Sequence, residues 1–311
     1  DMGAEVTPGT ATLPFTIGGR DDLPGGPIRL DSSRSSQFLS ALLLIGARCA
    51  LGLSVEDIGP NLPSKPHIDM TIAMLRERGV RVDDSEPGRW RVEPGPIAAR
   101  DVVIAPDLSN ASPFLAAAVI TGGRITVPNW PASTQQPGDR VRSILAQFGA
   151  KAVLENGALT VTGDGVVHGV DLDLSDVSEL TPVIAALAAV AREKSHLRGV
   201  GHIRGHETDR LAALETELNN LGSHVHQTDD GLVIHPRVLH GGEWGTYADH
   251  RMAHAGALLG LIVDAITLDD IGCTSKTMPD FPLLWTQMLI DSDEWLDQQI
   301  AAERGAEEGA Q

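Results

Sequence analysis

The sequence predicts an α/β (α+β) fold assembled from a repeated β-α-β-α-β-β unit. Three observations point there. An amphipathic helix, a glycine and two short strands recur along the chain. A helix of small residues precedes each recurrence. The apolar residues are aliphatic: hydrophobic residues make up 42% of the 311, aromatics only 4%, so the core must close on Ala, Val, Leu and Ile.

The first recurrence reads Met74–Arg78, Gly79, then strands near Val80–Val82 and Trp90–Val92. The second reads Ile144–Phe148, Gly149, then strands near Lys151–Leu154 and Leu159–Val161. The third reads Leu214–Leu221, Gly222, then strands near His224–His226 and Leu232–Ile234. Met2 and Gly3 open what reads as the tail of an earlier copy. Successive glycines stand about 70 to 76 residues apart, the period of a supersecondary repeat. A glycine just past the last helical turn takes the left-handed conformation that ends a helix.

The helices of small residues are Ser36–Arg48, Ser112–Thr121, Leu180–Ala191 and His250–Leu261. Each follows a short strand. Ala, Ser and Leu all round such a helix predict burial on several sides. The units then run from Pro27 to Pro94, from Arg100 to Gly163 and from Val167 to Pro236. A last one, Gly241 to Leu289, lacks its closing phrase. The predicted division is a first domain over 1–96, a second over 97–290 and an acidic tail over 291–311. Asp1–Val6 reads as a helix end entering a strand, so the N-terminus reads as truncated.

Net charge is -18, from 24 basic and 42 acidic residues. Such a surface disfavours nucleic acid and anionic membranes as partners, since both need basic patches. A small anion can still be held by a local Arg/Lys cluster. Cys49 and Cys273 have no metal-like spacing, so neither a disulfide framework nor a zinc site is expected. The longest apolar stretch, Phe38 to Leu53, is broken by Arg48 and predicts no membrane span. No signal peptide is visible, and a cytoplasmic monomer is the expectation.

Polar strings stand at helix starts. Ser35, Ser36 and Gln37 open the first small-residue helix, where exposed amides and hydroxyls suit a phosphate or carboxylate; plain capping explains one serine. Ser64-Lys65-Pro66-His67 precedes the helix Ile68–Arg78, and Asp107-Leu108-Ser109-Asn110 precedes the second small-residue helix; capping accounts for both. Glu179 opens the third, either as a carboxylate placed by the macrodipole or as a proton acceptor. In His206-Glu207-Thr208-Asp209-Arg210, Glu207 is a candidate acid/base group and Arg210 a candidate anion clamp. The bland alternative is an ion pair between Asp209 and a nearby Arg. Asp249-His250-Arg251 opens an otherwise apolar helix, which is costly unless the charges are paired or bind a ligand. Lys276 lies in a Ser/Thr-rich loop. Helix N-termini from several units converging on one cleft would reconcile an acidic chain with an anionic substrate.

Together these strings resemble the 5-enolpyruvylshikimate-3-phosphate synthase family. They are Ser-Ser-Gln-Phe-Leu at 35–39, Ser-Lys-Pro-His-Ile at 64–68, His-Glu-Thr-Asp-Arg-Leu at 206–211, Asp-His-Arg-Met-Ala at 249–253 and Thr-Ser-Lys-Thr at 274–277. The resemblance covers nearly all of residues 1–290. It implies a two-domain enolpyruvyl transferase fold with the first domain incomplete. It also implies transfer of the enolpyruvyl group of phosphoenolpyruvate to the 5-hydroxyl of shikimate 3-phosphate, without metal or organic cofactor. Ser35, Ser36, Gln37 and Ser64 would hold the shikimate phosphate. Arg210, Arg251 and Lys276 would clamp phosphoenolpyruvate. Glu179 would be the base, and Glu207 or Lys276 the proton donor. Glu179, His206, His202 and His67 stand where many members carry Asp, Lys, Asn and Tyr; these departures resemble an actinobacterial-type branch. The family's Lys-Ser-x-x-x-Arg loop and Gly-rich loops are not found before residue 27, which implies a chain nearly inactive alone. Two alternatives stand beside this: a non-catalytic remnant, and UDP-N-acetylglucosamine enolpyruvyl transferase. The latter wants a reactive loop cysteine, whereas Cys49 reads as part of a buried helix.

Overall fold

The computed structural model describes residues 5–7, 14–18 and 23–292. Met2, Gly3 and all but the first two residues of the predicted tail lie outside them. A short antiparallel pair comes first, β1 (Glu5–Thr7) with β2 (Thr16–Gly18).

The first full unit is β3 (Gly26–Leu30), α1 (Gln37–Gly46), β4 (Leu53–Asp57), α2 (Lys65–Glu77), β5 (Val82–Asp83) and β6 (Arg89–Val92). Its sheet runs β3-β4-β6-β5, with β3 and β4 parallel and the other pairings antiparallel. Next come α3 (Ser112–Thr121), β7 (Arg124–Pro128), α4 (Val141–Gln147), β8 (Lys151–Glu155) and β9 (Ala158–Thr162), a sheet ordered β7-β9-β8. The third unit is β10 (Asp171–Asp173), α5 (Thr181–Ala189), β11 (Ser195–Arg198), α6 (Arg210–Asn220), β12 (His224–Gln227) and β13 (Leu232–His235). Its order, β10-β11-β13-β12, repeats that of the first unit strand for strand. Last, β14 (Gly242–Trp244) and β15 (Ile266–Leu268) pair in parallel around α7 (His250–Leu259), and a helix covers 281–292. Gly79, Gly149 and Gly222 follow α2, α4 and α6 with φ of +78°, +106° and +98°. These are the left-handed stops that the repeat predicts.

Two apolar cores form. One gathers Leu39, Leu43, Leu53, Val55, Ile68, Ile72 and Trp90 around the first sheet. The other runs from Leu108 to Leu259. In the second core α3, α5 and α7 touch one another. Every residue of α5 is buried. Small residues permit that closeness: a Cβ on Gly256 of α7 would stand 2.6 Å from the Trp244 ring.

Two expectations need correction. The first small-residue helix is not buried all round. Of α1 only Leu39, Leu43 and Gly46 are buried, while Phe38, Leu44 and Ile45 face solvent, because among the described residues α1 packs chiefly on α2 and its own sheet. It also ends at Gly46, so Cys49 is buried in the turn beyond the helix. Second, the unit from Arg100 lacks its opening strand. No residue from 93 to 111 is in a strand, and Val103 and Ile104 are 95% and 85% exposed. Pro94, Pro96 and Pro106 punctuate that segment and cannot donate to a ladder. Among the described residues no helix is long and apolar enough to cross a membrane.

Candidate functional site

The N-termini of α6 and α7 meet around Arg210. Its guanidinium is buried and donates to Asp249 through Nε (2.7 Å) and Nη2 (3.1 Å). Nη2 also donates to Glu207 Oε2 at 2.9 Å, and Nη1 to His206 Nδ1 at 3.0 Å. Lys276, half-exposed, donates to the other Glu207 oxygen. Burial pushes the Glu207 carboxyl up, but the bonded Lys276 and the Arg210 charge outweigh it and hold the group at about 2. Burial and the Arg210 charge push the His206 imidazole down, which suits its acceptor role. Asp209 takes no part: it caps α6 through Ala212 N and pairs with Arg204 at 3.2 Å.

Asp249 does three things at once. It caps α7 by accepting the Arg251 amide at 2.8 Å, it neutralises Arg210, and it offsets the Arg251 cation in the first turn of α7. A cation at a helix N-terminus opposes the macrodipole, so Arg251 is misplaced by propensity alone, while burial and the Arg251 charge hold the His250 imidazole down at about 4. Arg251 is buried and its Nη1 has no partner among the described residues. The turn before Asp249 is strained: Tyr247 and Ala248 both have positive φ, +56° and +53°, and Tyr247 is anchored by donating to Glu217 Oε1 at 2.6 Å. Strain of this kind persists where surrounding structure holds it.

Glu179 sits in a short 3₁₀ turn, Ser178–Leu180, ahead of α5. It accepts from Ser109 Oγ at 3.1 Å and lies 3.8 Å from His67 Nε2, an ion-pair distance too long for a hydrogen bond. Burial raises its carboxyl, yet the His67 imidazole and the Arg251 charge outweigh this and leave it below its ordinary value. Neighbouring Ser178 bonds His202 Nε2 at 2.9 Å. Burial, helped by His206, holds the His202 imidazole down at about 4.

His67 belongs to the first unit, so this contact bridges the two cores. Beside it the Ser64 amide donates to Ser175 O at 3.4 Å, and Ser64 itself has a φ of +52°. A cleft of 610 Å³ opens there between Ser33, Arg34 and Asn61 on one side and Ser175, His202 and Asp230 on the other. Ser35 and Ser36 lie just beyond this wall. The Ser35 hydroxyl accepts the Gln37 amide at 3.2 Å, whereas Ser36, at the α1 N-cap, makes no side-chain cap bond. Among the described residues no hydrogen bond or ion pair joins Ser35, Ser36 or Gln37 to the Arg210 network. The structure thus brings together Glu207, Arg210 and Lys276, with Arg251 next along through Asp249, and His206 bonded to Arg210. It sets Glu179 against His67 and Ser109. Sequence reasoning missed the Ser109 contact and the Asp249–Arg210 pair, which joins residues on different helices.

One buried group near this network gives a pH prediction. His254 is fully buried, and neither ring nitrogen finds a partner among the described residues. Burial, with the charges of Arg251 and His250, holds its pKa down at about 2 against an ordinary 6.5. The unfolded chain therefore takes up this proton first. Stability falls as pH drops below about 6.5 and is unaffected by this group above it. His254→Met should flatten the slope of unfolding free energy against pH by up to ~1.4 kcal/mol per pH unit. Denaturant titrations across weakly acidic pH measure it, and an unchanged slope removes His254 as the sensor.

Over residues 1–284 the chain matches the family described as EPSP synthase (3-phosphoshikimate 1-carboxyvinyltransferase). A relative from Kocuria rhizophila, named 3-phosphoshikimate 1-carboxyvinyltransferase, is 52% identical over 285 residues, covering 91% of this chain and 64% of the relative. The chain thus spans a little under two thirds of that relative's length. Two solved structures of EPSP synthase from Acinetobacter baumannii share the fold. One superimposes with a TM-score of 0.72 at 24% identity over 92% of this chain and 67% of the other. The second gives 0.71 at 23% identity over 92% and 68%.

Proposed function

The chain belongs to the EPSP synthase (3-phosphoshikimate 1-carboxyvinyltransferase) family, and from that premise we propose that it carries most of a site for enolpyruvyl transfer. Phosphoenolpyruvate gives its enolpyruvyl group to the 5-hydroxyl of shikimate 3-phosphate, and phosphate leaves. The observation that carries this reading is the buried Arg251 guanidinium with an unpartnered Nη1. A buried charged donor left open is expensive, and an anion repays it. Arg210 and Lys276 lie beside Arg251 in one network through Glu207; Arg210 is already paired with Asp249, and Lys276, half-exposed, is the one open to a ligand. A substrate with one carboxylate and one phosphate matches such a set, and guanidinium forks bind both groups in bidentate fashion.

Ser35, Ser36, Gln37 and Ser64 would receive the shikimate phosphate from the first domain, residues 1–96, across the cleft from the second, 97–290. Glu179, kept ionised, is the proton acceptor for the 5-hydroxyl. Its Ser109 bond fixes one oxygen and leaves the other for substrate. The methylene carbon of phosphoenolpyruvate needs a proton as the tetrahedral intermediate forms. Glu207, held near 2, has none to give in this state, which favours Lys276 as the donor. Cys49, whose thiol burial pushes up, has no place in this chemistry, and this disfavours the reading that requires a reactive thiol.

The test is a product assay with both substrates, on this chain and on this chain completed by the part of the Kocuria rhizophila relative that it does not span. Product is expected from the completed chain. Arg251→Ala there should lower kcat/KM by about 100-fold or more, the loss expected for one well-placed electrostatic stabiliser. Retention of full activity by that variant would discard the anion-clamp reading.

A further inference from the structure

The outer face of the β10-β11-β13-β12 sheet holds four imidazoles that the proposed reaction does not use, His196 on β11 and three that cluster on β12 and β13. His224 and His226 are two apart on β12, and alternate strand residues point to the same side. On β13, His235 is directly opposite His224 in the antiparallel ladder, where facing side chains have their Cβ atoms about 5 Å apart. Their alternates Val225, Leu232 and Ile234 are buried on the inner face, whereas His224 and His226 are exposed. The three ring centres form a near-equilateral triangle. His224 is 6.3 Å from His226 and 5.4 Å from His235, and His226 is 5.9 Å from His235.

We propose that His224, His226 and His235 form a surface site for a divalent transition-metal ion that favours imidazole, with Zn(II) as its type, fastening β12 to β13. The triangle is close to the right size and a little too wide as placed. A point equidistant from the three ring centres lies about 3.4 Å from each, and a metal ~2.1 Å from an imidazole nitrogen sits about 3.2 Å from that ring's centre. Three neutral imidazoles with solvent in the fourth position make an ordinary tetrahedral set for Zn(II), and Ni(II) and Cu(II) accept the same donors. As placed, the rings of His226 and His235 lie within 22° of parallel, so their nitrogens do not converge, and among the described residues no ready-made metal cluster exists. Rotation about the side-chain bonds brings them in. Staggered alternatives are open to exposed side chains, and the backbone already fixes which side and which spacing. Lys194 and Arg237 add positive charge beside His235, so the site binds with moderate affinity.

Calorimetric titration of the metal-free 311-residue chain with zinc chloride tests this. One saturable site per chain is expected. His226→Ala and His235→Ala should each weaken it by ~10-fold or more, since losing a ligand costs at least as much as losing the group that orients one. His240→Ala, on the loop after β13, should leave it unchanged. All three replacements are of partly or fully exposed side chains, and circular dichroism of each variant verifies that the fold is kept. Cobalt(II) in place of zinc should give the visible absorption of a tetrahedral site, lost in His235→Ala. Absence of saturable binding by the parent chain overturns the proposal. So does unaltered affinity in His226→Ala and His235→Ala, or an equal loss in His240→Ala.

Discussion

In the completed chain, Glu179→Gln lowers turnover with shikimate 3-phosphate and phosphoenolpyruvate by about 100-fold or more, while KM for either substrate stays within a few-fold. The amide has nearly the volume of the carboxylate and can still accept the Ser109 hydroxyl that now bonds Oε1. Packing and orientation are therefore kept, and the ability to take a proton is lost. A base matters chiefly in the transition state, so the loss belongs in kcat and not in ground-state binding. His67 and Arg251 keep Glu179 below its ordinary carboxylate value, so the parent enzyme should hold its activity well into mild acid on account of this group. Its activity limb falls only as pH approaches the lowered pKa, where the carboxylate takes up its proton. Steady-state kinetics decide the matter. Unchanged turnover in Glu179→Gln removes this residue from the mechanism and turns attention to Glu207.

Arg210→Met destabilises the second core by ~3 kcal/mol or more, the cost of breaking a buried pair by removing one partner. Asp249 is fully buried and receives two bonds from that guanidinium. Methionine fills part of the volume but leaves the carboxylate facing apolar surroundings. Glu207 and His206 lose a donor at the same time. A second change, Asp249→Asn, removes the stranded charge while keeping an oxygen to cap α7. It should recover part of the loss. Denaturant unfolding followed by tryptophan fluorescence measures both, because Trp244 donates to the Met252 carbonyl one turn into α7. If the double variant is no more stable than Arg210→Met alone, the stranded charge is not the cause.

Much of this architecture can be read from local chemistry. A glycine with φ near +78° to +106° after each amphipathic helix is a property of one residue, so Gly79, Gly149 and Gly222 mark the repeat before any tertiary contact is known. Helices α3 and α5 are legible for a similar reason: Ala-rich segments without a polar face have nowhere to go but inside. Helix α1 shows the limit. Its residues are as apolar as those of α5, but burial depends on what packs beside it, and that is not written in the helix. Residues 101–105 show another, since Val102, Val103 and Ile104 have strand propensity and no paired neighbour. The polar strings drew attention to Glu207, Arg210, Arg251 and Lys276 because charges beside apolar helices need explaining. Their partners were out of reach. Asp249 lies 39 residues from Arg210 and Ser109 lies 70 from Glu179, and only the stacking of helix N-termini makes them neighbours.

The two apolar cores share no cluster; the connecting segment carries no strand, and polar contacts such as Ser64–Ser175 and His67–Glu179 span the cleft. Such contacts are worth little beside the burial within each core. Cooperativity therefore stops at the cleft. The chain should melt in two steps, each unit with its own midpoint, and all-or-none thermodynamics applies to each unit separately. Substitutions at Arg210 or His254 move the step of the larger unit and leave the smaller where it was. A ligand that grips both walls at once would do what no contact among the described residues does, and tie the two transitions into one.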